Sequence, residues 1–160
     1  MAIWFNIYEF TKSDTAKRLK IDNTPNEQQM DNLIHLMQLM DKIREKWTAY
    51  CKEHFLPNPQ IIINSGFRSE ALNKAVGGSK TSYHMKGMAA DFDAKNGHNG
   101  ELFRLILDMI GSGEIVVSQL IWEQGDNSNP DWIHIALYDG NKKNDILRYE
   151  KGKGYRKYCG

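Results

Sequence analysis

Two histidines and one aspartate are the residues here whose types and spacing could do metal chemistry. His84 lies in the string Ser-Tyr-His-Met-Lys-Gly-Met-Ala-Ala-Asp-Phe, residues 82–92, so Asp91 follows it by seven positions. His134 lies in Asp-Trp-Ile-His-Ile-Ala-Leu, residues 131–137. Two neutral imidazoles and a carboxylate make a three-ligand zinc set with a fourth position left for water, the pattern of a catalytic rather than a structural site. Bound Zn²⁺ brings the pKa of water to about 7 and polarises a carbonyl, and a nearby carboxylate is then needed to take the proton. By type and spacing alone the reading stays open, because a histidine in a strand is more often a hydrogen-bonded residue than a ligand.

The elements around these residues set which way they face. Residues 88–93 read as a strand in which Asp91 shares a face with Ala89, while Ala90 and Phe92 point the other way. In a later strand, residues 132–138, Ile133, Ile135 and Leu137 face a core, leaving His134 opposite with Trp132 and Ala136. Further strands are expected at 60–64, a β-branched run, and at 118–123, with a polar loop at 124–130. A short helix over 10–19 takes Thr11 or Ser13 as its cap. The clearest helix follows, with Thr24 as N-cap, Pro25 at the first helical position and Glu27 completing a capping box. Its apolar stripe runs through Met30, Leu33, Ile34, Met37, Met40, Ile43, Trp47, Tyr50 and Cys51, and its methionines read as core filler. A short helix at 69–76 is stopped by Gly77 and Gly78 as a left-handed cap, and 100–110 is another amphipathic helix. Helices first and several strands later imply a single α+β domain over 1–160, its sheet mainly antiparallel with the N-terminal helices packed on it. Residues 148–160 read as a basic, glycine-interrupted tail whose cations and aromatics, Tyr149, Lys151, Lys153, Tyr155, Arg156, Lys157 and Tyr158, suit a solvated surface first and contact with an anionic polymer or glycan second.

Composition narrows the function classes. The 160 residues are 41% hydrophobic and 26% charged, ordinary for a soluble domain with a real core. Lys plus Arg number 21 against 20 acidic residues, which gives no electrostatic case for nucleic acid. No secretory signal or membrane-length apolar run is visible, so synthesis in a cytoplasm is expected. Cys51 and Cys159 stand far apart and read as free thiols; Cys51 falls in a helix stripe, which excludes a cysteine peptidase. His35, His54 and His98 are not placed like ligands. Asp93 shares a face with Asp91 and reads either as a group that orients a ligand or as a surface acid. Trp122 and Trp132 flank the expected cleft, with core packing the alternative for each.

Taken together, Ser-Gly-Phe-Arg-Ser at 65–69, Leu72-Asn73, Val-Gly-Gly at 76–78, Ser82-Tyr-His84, Gly87-Met-Ala89, Asp91 and Trp132-Ile-His134 resemble the zinc D-Ala-D-Ala carboxypeptidase family of murein metallopeptidases. Relatives include vancomycin-resistance dipeptidases, phage endolysins and the hedgehog domain. The resemblance runs from about Thr11 to Tyr138. It implies that His84, Asp91 and His134 bind one zinc ion and that Arg68 binds the substrate carbonyl or carboxylate and steadies the oxyanion, with Ser82 and Trp132 beside the substrate. For the catalytic base it leaves two candidates. Asp131, three positions before His134, is preferred, although three steps along a regular strand would turn it to the wrong face. Glu123 competes. The substrate implied is peptidoglycan, cut at a D-Ala-D-Ala terminus, a D-Ala cross-link or an L-Ala-D-Glu bond by a monomer. An endolysin-type enzyme reaching the wall through a separate pore stands slightly ahead of a carboxypeptidase. A non-catalytic zinc-containing binding module of the same fold is the alternative, and candidate bases together with Arg68 favour the enzyme.

Overall fold

A computed structural model describes residues 3–160. A 3₁₀ turn, Ile7–Phe10, leads into α1 (Asp14–Leu19), whose N-cap is Ser13 rather than Thr11. The long helix α2 (Glu27–Glu53) starts later than its sequence suggests. Two overlapping capping signals compete there, Thr24 with Glu27 and Asn26 with Gln29. Asn26 wins: its side chain accepts from the Gln29 N–H at 2.8 Å, and the Gln29 side chain accepts from the Asn26 N–H at 2.8 Å. The Thr24 hydroxyl is instead held by Asp22 at 2.6 Å, so Pro25 lies ahead of the helix.

The remaining elements are β1 (Ile61–Ser65), α3 (Glu70–Ala75), a 3₁₀ turn at Tyr83–Lys86, β2 (Ala89–Ala94), α4 (Asn99–Gly111), β3 (Val117–Glu123), β4 (Trp132–Leu137), β5 (Asp145–Glu150) and β6 (Gly154–Lys157). Ser69 caps α3, and after it only Gly77 is left-handed, at φ 72°. The chain is a single α+β unit with one six-stranded sheet in the order β1-β2-β4-β3-β5-β6. Every neighbouring pair is antiparallel except β3 with β5, which makes the sheet mixed. The expected basic tail is therefore corrected. Residues 145–157 form a hairpin that docks on β3 through the parallel register Leu120 to Ile146 and Ile121 to Leu147. The strands Asp-Ile-Leu-Arg-Tyr-Glu and Gly-Tyr-Arg-Lys are short and carry little alternation, so this pairing leaves a weak local signature.

One face of the sheet is the core. Ile61, Ile63, Phe92, Leu120, Trp122, Ile133 and Ile135 pack there against Leu33, Leu36, Met40, Ile43 and Trp47 of α2 and Leu102, Phe103 and Ile106 of α4. Truncating any of these larger side chains to alanine is worth about 2–5 kcal/mol. Cys51 is buried in this core, and Cys159 is exposed. No helix among the described residues is long and apolar enough to cross a membrane.

Two irregularities in register serve the opposite face. The pairing slips between Ile63 and Ser65 in β1, and again between Val117 and Gln119 in β3. An extra residue at each point breaks the two-residue alternation. Ser65 thereby comes level with Asp91 while Ile63 stays in the core, and Gln119, Ile121 and Glu123 turn toward the open face while Val117, Leu120 and Trp122 stay inside.

Candidate metal centre and cleft

The face of the sheet away from the helices carries a cleft of about 840 Å³. Its floor holds Asp91 and His134, direct cross-strand partners on β2 and β4. His84 reaches the same point from the 3₁₀ turn Tyr83–Lys86, where the Ser82 hydroxyl caps the turn by accepting from the His84 N–H at 3.2 Å. One donor atom from each of His84, Asp91 and His134 lies within 4.8 Å of the others.

A hydrogen bond fixes which ring nitrogen His84 presents. His84 Nδ1 donates to the Gly66 carbonyl at 2.7 Å, which leaves the Nε2 lone pair 3.3 Å from Asp91 Oδ2. His134 sets Nδ1 2.9 Å from Asp91 Oδ1 and Nε2 3.3 Å from Gln119 Oε1; with the ring proton on Nε2, donated to Gln119, Nδ1 is free toward Asp91. His84 Nε2, His134 Nδ1 and both Asp91 oxygens converge on one point, where ring protons hold them together in the ion-free protein and a cation can take the place of those protons. Burial pushes the His84 imidazole down, toward the neutral form a ligand needs. Burial pulls the Asp91 carboxyl upward, but the neighbouring His84 and His134 outweigh it and hold the group well below the usual carboxylate range. Two imidazole nitrogens with one ionised carboxylate fit zinc.

Gly66 makes the first of these contacts possible, because a Cβ there would collide with the Phe10 backbone, which also accepts from the Phe67 N–H at 2.6 Å. Just beyond it, Arg68 is clamped on three sides. Its Nε donates to Ser65 Oγ at 3.2 Å, its Nη1 to Asn73 Oδ1 at 3.2 Å and its Nη2 to Asp91 Oδ2 at 3.5 Å. Burial lowers the pKa of this guanidinium and Asp91 opposes that shift, so it stays charged. Gly78 closes over the clamp: a side chain there would overlap Asn73 Oδ1 and come within 2.8 Å of Arg68 Nη1. Asn23 holds the segment from below, accepting from the Ser69 N–H at 2.7 Å and donating to the carbonyls of Thr11 and Phe67.

Glu123 and Asp131 separate clearly. Glu123, on β3, lines the cleft with 7% of its surface exposed, and no side-chain hydrogen bond reaches it among the described residues. Burial raises its carboxyl to about 7, with His134 pulling down and Asp91 pushing up. Asp131 sits just before β4, exposed, with its N–H donating to the Glu123 carbonyl at 2.9 Å. It lines a different depression with Arg148, Lys151 and Lys153. The structure puts Glu123 on the cleft and Asp131 outside its lining, the reverse of the order in which the two were preferred. Ser82 and Trp132 both line the cleft; Trp122 is in the core, its ring edge-on to Phe103 at 5.2 Å. Asp93 orients no ligand and is held by Asn64 at 2.6 Å and Asn99 at 2.8 Å. Gln119 and Leu147 also line the cleft and were not foreseen, and so do Tyr149 and Tyr155, expected in a tail. Strand alternation counted back from Glu123 would have found Gln119, whereas the hairpin residues carry no such signal.

A sheet face bearing two histidines and an aspartate around one point, with a clamped arginine and a buried carboxylate beside them, is the arrangement of a metallopeptidase. The family model for peptidase M15 matches residues 4–136, and the chain belongs to that family. Over 48 residues it is also 42% identical to the zinc D-Ala-D-Ala carboxypeptidase of Streptomyces albus G, a stretch that is 30% of this chain and 19% of that enzyme.

Proposed function

We propose that this chain is a zinc-dependent peptidase that hydrolyses peptide bonds involving D-amino acids in peptidoglycan, and that the cell wall is where it acts. The observation that carries the reading is the convergence of one ligand atom each from His84, Asp91 and His134 within 4.8 Å, beside a buried carboxylate that no side-chain hydrogen bond engages among the described residues. Family membership supports the peptidase chemistry, and the name of the Streptomyces relative supports zinc and a D-Ala-D-Ala bond.

His84, Asp91 and His134 hold the ion. When bound, zinc polarises the scissile carbonyl and makes the attacking water acidic enough to ionise near neutral pH. Glu123 takes that water's proton and passes it to the leaving amine, a role suited to a group whose carboxyl is raised to about 7. The Arg68 guanidinium, fixed by Ser65 and Asn73, donates to the carbonyl oxygen as negative charge builds there. Ser82 and Trp132 contact the peptide on the cleft walls.

Digestion of purified peptidoglycan, followed by mass spectrometry of the fragments, tests this. Cleavage should stop with a chelator and return with zinc. Undiminished cleavage by metal-free protein, or an intact wall polymer after treatment with zinc-loaded protein, defeats the proposal. Fragment masses also separate a terminal D-Ala cut from cross-link or L-Ala-D-Glu cleavage.

A further inference from the structure

The family match ends at residue 136, yet one wall of the cleft comes from beyond it. Register across the sheet places four cleft residues in a single row. Trp132 on β4 pairs with Glu123 on β3, Glu123 with Tyr149 on β5, and Tyr149 with Tyr155 on β6. The two tyrosine rings lie 4.8 Å apart at 49°, and Tyr155 is 62% exposed, so the pair presents aromatic surface to the cleft rather than to the core. Arg68 stands at the opposite flank, beside β1 and β2.

The charges of the cleft are equally one-sided. Its other cations, Lys86 and Lys142, are tied near the start of β3. Lys86 lies over the Tyr83 ring, whose hydroxyl donates to Asp139, and Lys142 pairs with Asp145, the residue level with Gln119. The row around Glu123 therefore offers ring faces, two phenol hydroxyls and one carboxylate, with no cation to receive a free terminal carboxylate. Such a surface favours amide planes and methylene groups of an uncharged chain.

We propose that Tyr149 and Tyr155 form a subsite for an uncharged stretch of the murein peptide beyond the residues flanking the scissile bond, which makes extended or cross-linked peptides better substrates than a free D-Ala-D-Ala terminus. The proposal rests on the peptidase reading above and adds a specificity that the hairpin, outside the matched family region, confers.

Steady-state kinetics of the zinc-loaded full chain on two substrates tests it: an N-acylated D-Ala-D-Ala dipeptide and a cross-linked muropeptide dimer. The wild type should prefer the dimer in kcat/KM. Tyr155→Ala and Tyr149→Ala should each raise KM for the dimer about tenfold with kcat nearly unchanged, while Tyr155→Phe, which keeps the ring, behaves as wild type. Tyr8→Ala removes an exposed tyrosine outside the cleft and serves as the control. Because Tyr155 is largely exposed, its variants should melt with the wild type; if Tyr149→Ala unfolds, the Tyr155 pair decides. Equal losses on both substrates, or none on either, overturn the subsite. So does inhibition by peptide-free glycan strands that Tyr155→Ala abolishes, since the tyrosines would then bind sugar. A wild type that cleaves the dipeptide and dimer equally well leaves the peptidase reading standing and refutes this one; a wild type that cleaves neither refutes both.

Discussion

Replacing Glu123 by glutamine should shift the protein's stability in a way that depends on pH and make it much less active. Burial lifts the Glu123 carboxyl from its ordinary 4.5 to about 7. Because the folded value is the higher one, the native chain keeps its proton while the unfolded chain has already lost it across the window from pH 4.5 to 7. Stability therefore falls as pH rises through that window and levels off above it. At about 1.4 kcal/mol per pH unit, the ionised carboxylate costs the fold roughly 3 kcal/mol at pH 8. Glutamine keeps the shape without the charge, but its amide meets no partner there, a penalty of about 1–2 kcal/mol. The net expectation for Glu123→Gln in zinc-free protein is a gain of about 1–2 kcal/mol at pH 8 that reverses to a loss of about 1–2 kcal/mol at pH 4.5, where the wild-type carboxyl is protonated and only the amide's penalty remains. Urea unfolding of both proteins at the two pH values measures this, and assays of the zinc-loaded forms should show turnover lowered at least about 100-fold. If the two proteins lose stability in parallel between pH 4.5 and 8, the carboxyl is not perturbed by burial. If the variant turns over normally, Glu123 is not the base.

Three further outcomes follow from the same geometry. Asp131→Ala, which removes an exposed side chain lining a separate depression, should change stability by no more than about 0.5 kcal/mol and leave turnover near that of the wild type; a loss approaching that of Glu123→Gln would restore Asp131 as the base. Gln119→Leu should free the His134 ring to turn and weaken zinc affinity about 10–100-fold, measured by competition with a chromophoric chelator, and an unchanged affinity would show that Gln119 does not orient the ring. Gly78→Ala should push Asn73 off Arg68 and destabilise the protein by about 1–3 kcal/mol in thermal or urea unfolding, with a fall in kcat; a stable, active variant would mean the arginine clamp is not needed.

Much of the site was legible because strand alternation is local information. The runs around Asp91 and His134 each put apolar residues on one face, so both ligands had to share the other, and the structure pairs them directly. The Ser-Gly-Phe-Arg-Ser string likewise carried its own reason, since Gly66 and Ser65 make the contacts that seat His84 and Arg68. Helix α2 was equally visible in its apolar stripe, though not its first residue, because two capping signals overlap and only the capture of Thr24 by Asp22 decides between them. What the sequence could not settle depends on which distant strands become neighbours. The bulges turn Ser65 away from the face of Ile63 and Gln119 away from that of Val117 through pairing with strands far along the chain, and only the folded chain puts Glu123 on the cleft and Asp131 on a separate depression. The tail 148–160 reads as solvated in isolation because β5 and β6 become ordered by pairing with each other and with β3. Local pattern tells a side chain which face of its own strand it occupies; the register between strands, and with it the company each side chain keeps, is set by long-range packing that exists only once the chain has folded.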